Sequence, residues 1–117
     1  MTEYKITLPF IPVSVNASYR VSKSRVYKSK QMREFQKQMN AVFENYKDLR
    51  MLEGKLSLDV TFEMSDKRSR DLDNLLKSLL DSLEGRVFKN DNQIFEITAR
   101  KFNNCDQFKT IIAIKEL

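Results

Sequence analysis

Histidine is absent from this chain, and that single omission removes several classes of chemistry. No Ser-His-Asp triad, Cys-His pair, imidazole base or histidine-containing zinc site can be assembled within it. The one cysteine, Cys105, rules out an internal disulfide and fits a reducing compartment. Apolar runs extend only a few residues, too short to span a bilayer. The opening Met-Thr-Glu-Tyr-Lys-Ile-Thr lacks a basic region followed by an apolar stretch, so no secretory signal is expected and the default address is the cytoplasm. Hydrolytic chemistry is left to carboxylates, lysines, hydroxyls or a metal held by oxygen.

At 117 residues, with 41% hydrophobic and 32% charged side chains, the composition is that of one folded domain spanning 1–117. The formal charge of +5 is unevenly spread. Acids are scarce at the start: Lys5, Arg20, Lys23, Arg25, Lys28, Lys30 and Arg33 face Glu3 alone. A second basic group, Lys67, Arg68 and Arg70, immediately precedes Asp71. Clusters of this kind attract polyanions in a salt-sensitive manner, although a soluble basic surface would look similar.

Residues 4–10 alternate Tyr4, Ile6, Leu8 and Phe10 with polar positions, which predicts a half-buried strand ended by Pro9 and Pro12. Residues 14–28 carry no helical stripe and read as a long basic loop, with room for a short hairpin and with Tyr19 and Tyr27 interleaved. A helix is expected over 30–47, capped by Ser29, with Met32, Phe35, Met39, Val42, Phe43 and Tyr46 on its apolar face. The strand at 55–64 alternates Leu56, Leu58, Val60, Phe62 and Met64 with polar residues, as in a sheet covered on one side. A second helix is expected over 73–84, from the leucine stripe Leu72, Leu75, Leu76, Leu79, Leu80, Leu83 and the stop at Gly85. Strands near 93–101 and 109–115 follow, joined through Asn103, Asn104 and Asp106. The order predicts an α+β fold: a two-layer sandwich with a mixed sheet of about four strands and two main helices.

Chemistry concentrates at Asp71-Leu72-Asp73-Asn74-Leu75-Leu76-Lys77, where strand gives way to helix. In extended backbone, residues i and i+2 point the same way, so Asp71 and Asp73 can converge on one hard cation such as Mg²⁺ or Mn²⁺. The plainer alternative is that the acids cap the helix and that Asp73 pairs with Lys77 at i,i+4. A metal site needs a third acid, and Asp91 qualifies if its strand runs beside 55–64; otherwise Asp91 is a turn residue.

The run Arg68-Ser69-Arg70-Asp71-Leu72-Asp73-Asn74-Leu75-Leu76-Lys77, then Leu80-Asp81-Ser82-Leu83 and Asn90-Asp91-Asn92-Gln93-Ile94, resembles the RusA family of Holliday junction resolvases. Leu8-Pro9, Pro12, Ser14, Asn16, Tyr19 and Arg20 resemble that family's N-terminal signature. The likeness implies that Asp71, Asp73 and Asp91 hold the metal, that Lys77 is an active-site lysine, and that the protein cuts four-way DNA junctions as a homodimer using Mg²⁺ or Mn²⁺. It implies neither a membrane nor a small-molecule cofactor. Family members often carry two acids where this chain has Asn90-Asp91, and the Gly85–Lys89 connection is short.

On that reading Lys77 offsets charge at the phosphate or orients water, and the basic segments hold the DNA backbone. The candidate contacts are Asn16, Tyr19, Arg20, Lys23, Arg25, Lys28, Lys67, Arg68 and Arg70. Rival readings are a basic DNA-binding module without catalysis, a nuclease of the same fold for other branched DNA, and a basic protein that meets an acidic partner.

Overall fold

The computed structural model describes residues 2–14, 17 and 19–117. Strand β1 (Glu3–Leu8) is followed by a hairpin of β2 (Tyr19–Ser22) and β3 (Arg25–Lys28), helix α1 (Lys30–Phe43), strand β4 (Leu56–Glu63), helix α2 (Leu72–Leu83), and strands β5 (Ile94–Phe102) and β6 (Lys109–Glu116). The long strands form one mixed sheet in the order β1-β6-β4-β5. β6 is antiparallel to both neighbours, whereas β4 and β5 are parallel and joined through α2. The hairpin is a separate two-stranded sheet.

Alternation decides which face is covered. Leu56, Leu58, Val60 and Phe62 are buried on β4, while the intervening Asp59 is exposed and pairs with Arg100 of β5 at 2.8 Å. Met32, Phe35 and Met39 of α1 and Leu75, Leu79 and Leu83 of α2 join Ile6, Leu8, Ile112 and Ile114 in a single core, so both helices pack on one face. This is the expected two-layer α+β sandwich. No helix among the described residues is long and apolar enough to cross a membrane.

Ser29 caps α1 as expected, its hydroxyl accepting from the Met32 N–H at 3.1 Å. The helix nevertheless ends at Phe43 rather than 47. Asn45, Tyr46 and Leu49 close tight turns, and the Arg50 N–H donates to the Tyr4 hydroxyl at 2.9 Å, drawing the segment back to β1. At the other helix, Gly85 adopts φ +84, the left-handed conformation that ends α2, and its N–H donates to the Phe88 carbonyl at 2.7 Å.

Candidate active site

The loop between β4 and α2 is held by a clamp. Asp66 accepts two hydrogen bonds from the Arg70 guanidinium at 2.7 and 3.0 Å and one from the Arg68 N–H at 3.3 Å. Arg70 lies over the Phe108 ring at 5.6 Å, its carbonyl accepts from the Lys101 ammonium, and the Asn104 N–H donates to the Asp66 carbonyl at 3.0 Å. The guanidinium beside Asp66 holds its carboxyl below the usual range, with the Arg68 N–H adding to the effect and desolvation opposing it. Arg70, whose side chain is only 16% exposed, therefore first anchors the loop, leaving Lys67 and Arg68 as its exposed cations.

This loop delivers Asp71 to the N-cap position of α2 in extended conformation, φ −81 and ψ 126. The carboxylate makes no capping bond to the helix backbone. Instead it accepts from the Asn74 side chain at 3.3 Å, while Asp73 accepts from the Asn74 N–H at 3.0 Å. Both acids are exposed and flank Asn74, a bridging role the sequence pattern did not reveal. The expectation that simple capping explains Asp71 is not realised.

Lys77 also departs from the simple alternative. Its ammonium pairs with Asp81 at 3.1 Å, one turn farther along, rather than with Asp73. Asp81 raises the Lys77 pKa above its ordinary value, and Asp91 and Glu84 push in the same direction.

Asp91 opens a short 3-10 turn, Asp91–Gln93, capped by the Asn90 side chain, which accepts from the Asn92 N–H at 2.9 Å. Gln93 pins that turn, accepting from the Lys89 and Asn90 N–H groups and donating to the Leu52 and Gly54 carbonyls at 3.0 and 3.1 Å. Asp91 is thereby set against the C-terminal half of α2. Among the described residues, the one group of three acids near enough to share an ion is Asp81, Glu84 and Asp91, with ligand oxygens within 4.8 Å of one another.

The expected closure of Asp71, Asp73 and Asp91 around one cation is therefore not made inside a single chain. Asp73 and Asp81 are eight residues apart on α2, which at about 1.5 Å of rise per residue separates their backbones by roughly 12 Å. The cause is topological. β4 and β5 are parallel, so the end of β4, which leads to Asp71, and the start of β5, which follows Asp91, lie at opposite ends of the sheet. Sequence reasoning gave no role to Asp81 and Glu84. Their signal was present: 77, 81 and 84 share the helix face opposite the leucines.

Two cavities flank α2. One of about 520 Å³ lies beside its N-terminus, between Pro12, Ser14 and Gln31 on one side and Arg68, Asp71 and Asn74 on the other. The second, about 460 Å³, is lined by Tyr19, Lys28 and Gln36 together with Asp81, Glu84 and Arg86. Tyr19, Arg20, Lys23, Arg25 and Lys28 all lie exposed on the hairpin, and Lys28 bonds Gln36 at 3.0 Å. Asn16 lies outside the described residues.

Residues 9–115 match the family model described as Endodeoxyribonuclease RusA. The chain belongs to the RusA endodeoxyribonuclease family. It is 34% identical over 96 residues to the crossover junction endodeoxyribonuclease RusA of Enterobacteria phage HK97, covering 82% of this chain and 79% of that protein. It is 33% identical over 101 residues to the protein of the same description from Aquifex aeolicus strain VF5, covering 83% and 79%. The acids at both ends of α2 thus belong to a RusA-family nuclease, and an acidic cluster is present in its fold.

Proposed function

We propose that this RusA-family nuclease resolves four-way DNA junctions in the cytoplasm, depends on Mg²⁺ or Mn²⁺, and acts as a homodimer with Asp71, Asp73 and Asp91 as metal ligands. The observation that carries this reading is the exposure of two carboxylates that flank Asn74 at the start of α2. Asp71 occupies a cap position without capping, and Asp73 is exposed beside it. The donor set is oxygen throughout, which fits a hard divalent cation with few protein ligands. Such a cation supplies Lewis acidity and lowers the pKa of water.

The chain's own residues then divide the remaining work. Lys67 and Arg68, beside Asp71, neutralise and position the phosphodiester backbone. Asp81 holds the Lys77 pKa above its ordinary value, which favours the cation and suits the lysine to stabilising negative charge at phosphate. The Asp66–Arg70 clamp keeps the loop that presents Asp71 in one conformation.

Dimerisation supplies the missing closure on this reading. β5 is an edge strand, and Phe95 and Ile97 on it are 61% and 44% exposed. Long exposed edges of this kind invite pairing with another chain. Antiparallel pairing of two β5 strands about their midpoint carries Asp91 of the partner subunit toward the sheet end that bears Asp71 and Asp73. Two such sites related by a two-fold axis match the two strands that must be cut in a junction.

The test is incubation of the protein with a labelled synthetic four-way junction and with linear duplex, with and without Mg²⁺ or Mn²⁺, followed by denaturing electrophoresis. Paired cuts confined to the junction and dependent on the metal are expected. Junction binding without any cutting in either metal rejects the catalytic reading.

A further inference from the structure

The hairpin carries an apolar pair that the phosphate-binding role leaves unexplained. Strand register puts Val21 opposite Val26 and Tyr19 opposite Lys28 on one face, with Arg20 opposite Tyr27 and Ser22 opposite Arg25 on the other. Val21 and Val26 are 73% and 70% exposed, the two most exposed large apolar side chains among the described residues. Tyr19 and Lys28, two residues nearer the hairpin base, line the cavity shared with Asp81 and Glu84. The valine face is therefore the one turned toward that cavity, and the valines overhang it by about 7 Å, two residues of strand rise.

The tip of the hairpin is equally particular. Lys23 and Ser24 both hold positive φ, 50 and 65, the conformation of a type I′ turn that ordinarily takes Asn-Gly. A lysine is thus kept at the tip in a backbone conformation that L side chains rarely adopt. Lys28 shares the valine face, Lys23 stands at the tip, and Arg20 and Arg25 project from the opposite face, so the exposed valines sit on a ribbon that is otherwise strongly positive. A two-stranded ribbon standing alone is marginal in water, and it gains most from a partner that covers its apolar face while satisfying its cations.

We infer that Val21 and Val26 form an apolar wedge that packs against unstacked bases at the branch point of a DNA junction, while Lys28 beside them, Lys23 at the tip and the arginines of the other face hold flanking phosphates. The inference rests on the junction-nuclease reading and deepens it. A continuous duplex presents stacked bases and phosphates, which the cations alone can hold. A branch point also exposes base faces, and the valines, with Tyr19 beside them on the same face, present an apolar surface that can cover those. Apolar side chains that enter base steps unstack them in this manner. The wedge, rather than the charge, then accounts for preference for branched over linear DNA.

The double variant Val21→Thr/Val26→Thr tests this, because threonine keeps the shape and strand preference of valine and replaces a methyl group by a hydroxyl. The full chain is titrated, with EDTA to block cutting, against a four-way junction carrying 2-aminopurine at the branch and against linear duplex. The parent should raise 2-aminopurine fluorescence and prefer the junction. The variant should lose that rise and bind the junction about ten-fold more weakly, with duplex affinity changed less than about two-fold and the salt dependence preserved. A variant that keeps the full fluorescence rise and junction preference overturns the wedge. So does one whose sedimentation shows loss of the dimer, since the valines would then cover a second copy. A parent that shows no junction preference here and, in a separate incubation with Mg²⁺ and no EDTA, does not cut the junction overturns the junction reading itself, which separates the two failures.

Discussion

Lys77 donates to Asp81, not to Asp73, although both acids sit four residues from it on the same helix. The lysine is thereby turned toward the Asp81–Glu84–Asp91 group and held as a cation by it. Replacing it with methionine should lower kcat for junction cutting about 10²-fold, the size expected for loss of one charge-stabilising donor. Junction affinity should fall by much less. Because the Lys77 pKa lies above its ordinary value, the lysine stays protonated from pH 6 to 9, and the shape of the pH–rate profile over that range should match the parent. A profile that loses an ionisation on substitution would make Lys77 the titrating group.

Asp73→Asn should bind a four-way junction with near-parental affinity and cut it at least about 10³-fold more slowly, as expected when a cation loses a ligand that positions it. Single-turnover cutting beside a gel-shift titration separates the two quantities. Equal losses in both would assign Asp73 to binding.

Trans closure of the site has its own signature. Asp73→Asn and Asp91→Asn proteins, each inactive alone, should regain about half of parental cutting per mixed dimer when combined, since one of the two sites then holds all its native acids. Mixtures that stay inactive after subunit exchange, verified by tagged pull-down, would place both acids in one subunit's site.

The two helices and β4 were legible because their pattern is local: leucines at helical spacing, or strict alternation, decide the buried face wherever the element lands. The early end of α1 was not, because the apolar pattern runs on through Tyr46 while the backbone turns at Asn45 and Tyr46 and the segment is drawn toward Tyr4, a contact across 46 residues. Asp71 and Asp73 were found from their spacing. The pairing of the Asp91 strand with 55–64 was foreseen, but because that pairing is parallel the start of β5 lies at the sheet end opposite the one where β4 leads to Asp71, a three-dimensional consequence that spacing along the chain does not display. The Asp66–Arg70 clamp escaped for a related reason. Its i,i+4 spacing suggests a helix, yet it lies in a loop closed by β5 and Phe108.

Asp66 makes a prediction with a definite sign. Its carboxyl is depressed in the folded protein, so the clamp is fully present above the ordinary carboxylate range and is lost as pH falls through the lowered value. Loop order should therefore be constant from pH 5 to 9. Asp66→Asn should raise hydrogen exchange at the Arg68 and Asn104 amides and increase KM for the junction, with little change in Tm because the Asp66 side chain is itself 40% exposed. Unchanged exchange at both amides would show that the loop is held elsewhere.

Leu79 is fully buried in the core between α2 and the sheet. Leu79→Ala should cost about 2–5 kcal/mol in urea unfolding, the range for emptying such a site. A value below about 1 kcal/mol would mean that α2 does not seal the core as described.

β6 is the last strand of the described residues and yet sits inside the sheet, between β1 and β4. In the folded sheet β1 and β4 are one strand apart, so the segments that precede β6 leave that central place open. Until Lys109–Glu116 has left the ribosome, the base on which α2 and its acids rest is incomplete. The sheet beneath α2 and its acids is therefore completed only when β6 inserts between two strands made before it.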